Sequence, residues 1–353
     1  MRGFVYDALP IRVVFEAGAL ERLPEEVARL SLQRVLVVST PGQQALGQRV
    51  TDLLGDRTVG LHAQARMHVP APVAATAVHH AQETRADGVV TVGGGSAVGL
   101  GKIIARDTGL PMLAIPTTYA GSEMTPIWGL TEDGVKTTGR DLNVLAKCVI
   151  YDPTLTVGLP AAVSATSGMN AMAHAVEALY AVDANPIATT MAEQCIAALG
   201  RSLPRVIANP TDIDARAEAL YGAWLAGAVL GLVSIALHHK LCHTLGGTFD
   251  LPHAGVHTVV LPHAAAYNAS AAPEAMAAIS AALGSANAAG GLFDLAQSIG
   301  APTTLKALGM KEADLDRAAD LAVTKPYSNP APVERDRVRA LLENAYHGRR
   351  PTP

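Results

Sequence analysis

The chain has 353 residues, 49% of them apolar and 16% charged, with 27 basic against 31 acidic side chains and a formal net charge of -4. That is enough apolar mass for two domains of ordinary size, and it excludes an intrinsically disordered chain. The absence of a basic stripe excludes nucleic-acid binding by phosphate neutralisation. Aromatic residues are only 4% of the chain, so the core must be built from Ala, Val and Leu. Cys148, Cys195 and Cys242 lie far apart and form neither a disulfide framework nor a CxxC knuckle. This points to a reducing, cytoplasmic setting. No secretory signal is expected in the first ten residues.

Short β-branched runs alternate with helical stretches in the first half. Strands are expected at Val13–Glu16, Arg34–Ser39, Gly88–Val92, Met112–Ile115 and Cys148–Tyr151, with helices over Ala19–Leu30, Val73–Arg85 and Ser96–Thr108. This alternation predicts a mostly parallel sheet covered on both faces. After Leu159 the pattern becomes Ala-rich and helical, through Ala161–Tyr180, Pro186–Leu199 and Ala215–Leu237. The expected division is therefore 1–158, an α/β nucleotide-binding domain, and 159–353, an all-helical catalytic domain. Ala219–Leu237 carries no charge and has the length of a membrane span. Its many Gly and Ala residues, and the two histidines after it, favour a central buried helix instead.

The sharpest local motif is Gly93-Gly94-Gly95-Ser96, between a strand and a helix. Glycines allow close backbone approach, and the helix start offers free N–H groups to a pyrophosphate. The spacing differs from GxGxxG and no GK[ST] follows, so a dinucleotide is a better ligand than a transferable phosphate. A plain structural turn is the competing explanation. Thr117, Thr118 and Ser122 follow the next strand, where open α/β sheets bind ligands, although hydroxyl-rich turns also occur for capping alone. The strand ending at Ser39 continues Thr40-Pro41 with no carboxylate. Such an end predicts tolerance of NADPH beside NADH.

Seven of the twelve histidines lie between His174 and His263, six of them between His238 and His263. Asn170 and His174 share a helix face, as do His239 and His243. His174, His239 and His253, with Asn170 beside them, could hold a divalent cation with one position open. His243 is placed as a proton donor. His238 and His257 have a blander assignment as solvent or channel residues, and His263 as a core histidine. Cys242 is expected to point away from the set.

GGGSAVGLGK (Gly93–Lys102), PTTYAGSE (Pro116–Glu123), HHKLCHTLGGTFDLPHAG (His238–Gly255), LPHAAAYN (Leu261–Asn268) and NPAP (Asn329–Pro332) together resemble the iron-containing (group III) alcohol dehydrogenase family. The resemblance covers nearly the whole chain. It implies a dehydroquinate synthase-like fold, NADH or NADPH as cofactor, and a homodimer. It also implies a metal site formed by one aspartate and three histidines, whose positions here are Asn170, His174, His239 and His253. A neutral amide at the aspartate position implies that the metal is absent. PTTYAGSEMTP lacks the threonine- and glycine-rich PTTAGTGSE of the alcohol dehydrogenases and resembles a reductase branch acting on a small unsaturated dicarboxylate. By that resemblance Tyr119, Lys240, Arg140, Lys147, His238 and His257 are candidates to meet the substrate, with neither nucleic acid nor membrane as partner. A metal-dependent alcohol dehydrogenase or aldehyde reductase, and a dehydroquinate synthase-like lyase or cyclase, remain alternatives.

Overall fold

The computed structural model describes residues 3–352. Two compact units emerge, one of residues 9–159 and one of residues 160–352 joined by residues 3–8. The N-terminal residues thus pack with the helical unit, whereas the sequence pattern places them with the strands that follow.

In chain order the first unit contains β1 (Arg12–Phe15), α1 (Leu23–Arg29), β2 (Val35–Val38), α2 (Gln44–Leu54), β3 (Thr58–His62), α3 (Ala71–Glu83), β4 (Gly88–Gly93) and α4 (Gly95–Thr108). It continues with β5 (Met112–Pro116), β6 (Ile127–Glu132), β7 (Val135–Arg140) and β8 (Cys148–Tyr151). Six strands form a sheet ordered β1-β8-β5-β4-β2-β3, every pairing parallel. The alternation of side chains fills both faces. Val35, Val37, Val90 and Val92 pack with Leu23 and Val27 on one face. Leu36, Val38 and Val89 pack with Leu100, Ile103 and Ile104 on the other. Strands buried on both sides read as unbroken apolar runs, which is why these were recognisable.

Four elements of this unit go beyond the expected set. α2 and the edge strand β3 were not anticipated, nor was the antiparallel hairpin of β6 and β7. Its two-residue turn is Asp133-Gly134, with φ of 49° and 75°, the conformation that favours Asp-Gly.

The second unit contains α5 (Ala161–Leu179), α6 (Pro186–Ala208), α7 (Ile213–Leu232), α8 (Leu237–Phe249), α9 (His253–Asn268), α10 (Pro273–Leu283), α11 (Ala288–Ser298), α12 (Leu315–Val323) and α13 (Arg335–His347). No strand occurs among its described residues. α5, α6 and α7 pack as a trio, and α9 lies against α5 and α8.

The uncharged stretch Ala219–Leu237 is not one helix, contrary to expectation. α7 ends at Leu232, and α7 and α8 meet at 99°. The cause is local. Asp183 accepts from the Ser234 amide at 2.8 and 3.1 Å and from its hydroxyl at 2.8 Å, holding the chain out of helical register. Another stretch of membrane-spanning length and hydropathy, Pro273–Ser298, is interrupted between α10 and α11.

Asp183→Ala should lower unfolding free energy by about 1–2 kcal/mol, measured by urea denaturation. An unchanged midpoint would show that the bend is set by packing alone.

Candidate active site

The strand order reverses between β2 and β4, since β2 leads outward to β3 and β4 leads inward to β5. Ligands bind at such switch points in parallel sheets. The glycine turn lies there. Gly93 has a φ of 144°, and a Cβ on it would lie 2.5 Å from Gln43 Oε1. A Cβ on Gly94 would lie 2.8 Å from Thr118 Cγ2. Backbone conformation thus favours glycine at 93 and the close neighbour Thr118 favours it at 94, whereas a Cβ on Gly95 would meet only Ala120 at 3.9 Å. α4 begins without a side-chain cap, so the amide groups of Gly95 and Ser96 are available to an anion. Gln43, which sequence reasoning missed, donates to Thr117 Oγ1 at 2.6 Å and joins the loops after β2 and β5.

Thr118 and Ser122 are partly exposed, while Thr117 and Tyr119 are buried. Burial places the Tyr119 side chain inside the fold rather than at an open surface. Ser39 is also fully buried, its Oγ only 2.9 Å from where a Gly47 Cβ would stand. Its hydroxyl is enclosed at the strand end, where it donates to the Thr40 carbonyl at 3.3 Å.

Lys102 organises this region. Its Nζ, on the buried face of α4, donates to Ser122 O at 2.6 Å, Ile127 O at 2.7 Å and Thr125 Oγ1 at 2.9 Å, with Ser122 Oγ at 3.3 Å. Burial pushes this ammonium down to about 7, opposed by Glu123. Glu123 is itself raised by burial and accepts from Tyr151 OH at 2.7 Å. Lys102→Met should destabilise the protein by about 1–3 kcal/mol and raise KM for the nicotinamide cofactor. Unchanged cofactor kinetics would remove Lys102 from this role.

In the helical unit, six histidines gather: His174 on α5, His238, His239 and His243 on α8, and His253 and His257 on α9. His174 Nδ1 lies 2.8 Å from His239 Nε2. His239 Nδ1 lies 2.6 Å from Glu177 Oε2. Glu177 also accepts from the Ala236 amide at 2.9 Å and the His238 amide at 2.7 Å. One carboxylate thus serves the uncapped start of α8 and orients its second residue-pair histidine. Glu177 was not anticipated, although its spacing of three from His174 puts both on one helix face. Asn329 of the NPAP segment accepts from the Leu237 amide at 3.3 Å and from Asn268 Nδ2 at 3.1 Å, bracing the same helix end.

His243 is exposed and His253 half-buried, with the His239 and His243 ring centroids 6.2 Å apart. Lys240 places its ammonium 5.9 Å from the centre of the Tyr327 ring. His238 and His257 are fully buried and bonded to each other at 3.0 Å, so the assignment as solvent or channel residues is corrected. Burial and the surrounding imidazoles lower both well below the usual histidine range, keeping them neutral. Cys242 Sγ lies 3.6 Å from His238 Nε2, one turn along α8 from it. Burial and Glu177 raise its thiol. His263 matches the core assignment, with its pKa lowered by burial to about 4. Arg140 lies exposed at the end of β7. Lys147 precedes β8 at the amino ends of the strands, lining a cavity of about 470 Å³ with Arg12 and Arg29. It is thus at the opposite end of the strands from the glycine turn.

Residues 10–153 match the iron-containing alcohol dehydrogenase family, and residues 164–346 match the Fe-containing alcohol dehydrogenase family, C-terminal. The chain belongs to the iron-containing alcohol dehydrogenase family. It is 56% identical over 352 residues to a maleylacetate reductase of Burkholderia cepacia, covering 100% of both chains. A maleylacetate reductase of Pseudomonas sp. strain P51 is 55% identical, with 99% of both chains covered. The crystal structure of maleylacetate reductase from Agrobacterium tumefaciens superposes with a TM-score of 0.96 at 52% identity, covering 99% of this chain and 100% of that one.

The metal that gives the family its name would meet a weaker donor set here than one aspartate and three histidines provide. Asn170 Oδ1 is buried without a hydrogen-bond partner, but it is a neutral amide oxygen. With three imidazoles it supplies no charge to offset a dication. The one nearby carboxylate, Glu177, is committed to His239 and two amides.

Glu177→Gln should lower stability by about 1–3 kcal/mol, because an amide cannot accept from all three donors. It should also reduce kcat more than KM for the cofactor. Denaturation and steady-state kinetics together check this, and an unaltered kcat would leave Glu177 a purely structural cap.

Proposed function

We infer that this chain is a maleylacetate reductase, an oxidoreductase that uses NADH or NADPH to reduce the conjugated carbon–carbon double bond of maleylacetate and form 3-oxoadipate. The full-length similarity to maleylacetate reductases carries the reading, and Asn170 at the family's aspartate position supports it. The products of such chemistry belong to the breakdown of aromatic compounds.

A bound reduced nicotinamide would supply hydride to the alkene carbon β to the ketone. The π electrons move onto the ketone oxygen as an enolate, and the carbon next to the carbonyl then takes a proton. The protein must hold the cofactor's diphosphate, receive the enolate charge and deliver that proton. The glycine turn and the start of α4 suit the diphosphate. Thr118, which lies against Gly94, and Thr117 and Ser122 of the same segment are the proposed hydroxyl partners of the cofactor. His243 is the proposed acid, being the exposed histidine of the cluster. His174, His239 and His253 supply orientation and field, with Glu177 fixing His239. Lys240 is the cation proposed to meet a substrate carboxylate. No metal takes part in this reading. A cytoplasmic homodimer acting on a small dicarboxylate, with neither nucleic acid nor membrane as partner, completes it. The three buried, free cysteines accord with a reducing compartment.

With NADH and maleylacetate, the purified protein should oxidise one NADH per 3-oxoadipate formed, at a rate unchanged by prior chelation. NADPH should also support turnover, since no carboxylate ends β2. His243→Ala should reduce kcat by about 100-fold or more while leaving KM for NADH nearly unaltered. Turnover of simple alcohols instead, abolished by chelator, would replace this reading with a metal-dependent alcohol dehydrogenase.

A further inference from the structure

The stretch that contains the NPAP motif brings a tyrosine against α8. We propose that this residue, Tyr327, forms with Lys240 a seat for one carboxylate of the substrate. This deepens the maleylacetate reductase reading and rests on it.

Tyr327 lies in the irregular stretch 324–334 between α12 and α13. Side chains pin that stretch. Asn329 and Asn268 exchange bonds of 3.1 and 2.7 Å, and Asn329 also accepts from the Leu237 amide at the start of α8. Tyr267 donates to Pro332 O at 2.7 Å and accepts from the Glu334 amide at 3.1 Å. Two residues before Asn329, the Tyr327 ring packs on the core of α8, α9, α12 and α13. Phenylalanine would fill that place equally well. The hydroxyl instead adds a buried oxygen with no hydrogen-bond partner. Such a group costs stability in the ligand-free protein, which asks for a purpose. Burial, with Tyr267 and Glu177 nearby, pushes the phenol up, so it stays an O–H donor.

Lys240 has the complementary need. It is half-buried on α8, and its ammonium lies 5.9 Å from the centre of the Tyr327 ring, the outer limit of attraction to a ring face. Among the described residues, no hydrogen bond or ion pair holds that ammonium. An unpaired cation and an unsatisfied O–H donor thus stand side by side. A carboxylate accepts only, through two oxygens, and can take both at once. Lys240 follows His239 in the chain and precedes His243 by three residues, so a carboxylate taken here is bound beside the histidine cluster. An ester or an alcohol in the same place would leave the ammonium without a counter-charge.

The test is binding without turnover. The full chain, with NADH present, is titrated by calorimetry with adipate, a saturated six-carbon dicarboxylate, and with its uncharged dimethyl ester. Wild type should bind adipate about tenfold or more tighter than the ester. Tyr327→Phe and Lys240→Met should each weaken adipate by about tenfold or more and leave the ester unaffected. The double variant should lose less than the product of the two single losses, because both groups serve one carboxylate. Without ligand, Tyr327→Phe should keep or raise the urea midpoint, since it deletes an unsatisfied hydroxyl. Lys325→Met removes an exposed cation of the same stretch and should change adipate affinity less than about twofold. Circular dichroism checks folding, and Lys240→Gln replaces a Lys240→Met variant that does not fold. Wild type that fails to distinguish adipate from its ester would overturn the proposal. So would a folded Tyr327→Phe that keeps full adipate affinity, or an equal loss in Lys325→Met. A lowered urea midpoint in Tyr327→Phe would also overturn it, the hydroxyl then being a structural donor. Since adipate binding is read without maleylacetate, failure of the reductase assay leaves these outcomes separately interpretable.

Discussion

The contact between Glu177 and the start of α8 is the constraint on which the helical unit's chemistry depends. α8 begins at an abrupt bend, where its first amides have no cap from their own segment. Open helix N-termini need acceptors, and a carboxylate also suits their positive end. Glu177 provides both from a neighbouring helix. The same oxygen that accepts from Ala236 also meets His239. Position of the helix and tautomer of the histidine are thereby set together: with Glu177 accepting at Nδ1, His239 turns Nε2 toward His174.

The α/β unit solves a comparable problem with a buried lysine. Lys102 reaches from α4 into oxygens of the segment after β5, as Glu177 reaches from α5 into amides of the segment after α7. In each case a buried charge ties an irregular stretch to a regular helix. Irregular backbone leaves polar groups unpaired unless side chains answer them, and a single multivalent side chain answers several at once.

How legible this was in the sequence differed by element. β2, β4, β5 and β8 are apolar runs bounded by turn residues, and burial on both faces makes such runs unmistakable. β3 is half-exposed at the sheet edge and contains Gly60, so its apolar signal is diluted. The hairpin of β6 and β7 is mixed in polarity, yet Asp133-Gly134 between its strands was a readable turn signal that went unused. The bend at Ser234 was not readable, since it depends on Asp183, which lies 51 positions earlier. Within the site, spacing brought His174, His239 and His243 into view, because helical periodicity shows shared faces; His253 stood out only as a histidine after Pro252 in a loop-like stretch, and it is the first residue of α9. Glu177 was discoverable by the same spacing but was masked by attention to nitrogen donors. The burial of His238 and His257 arises from packing between α8 and α9, which no single-helix pattern encodes. Lys102 was visible as part of the glycine motif, but its partners lie 20 to 25 positions later.

For the cofactor seat proposed above, the Lys102 contacts have a consequence. Residues 122–127 are anchored to α4 before any ligand arrives, and Gln43 fixes the adjoining Thr117. The entropy of ordering that wall is lost during folding rather than at encounter. Preorganisation of this kind reserves binding free energy for the nucleotide itself. Association there should resemble entry into a standing slot, with little slow rearrangement of its rim.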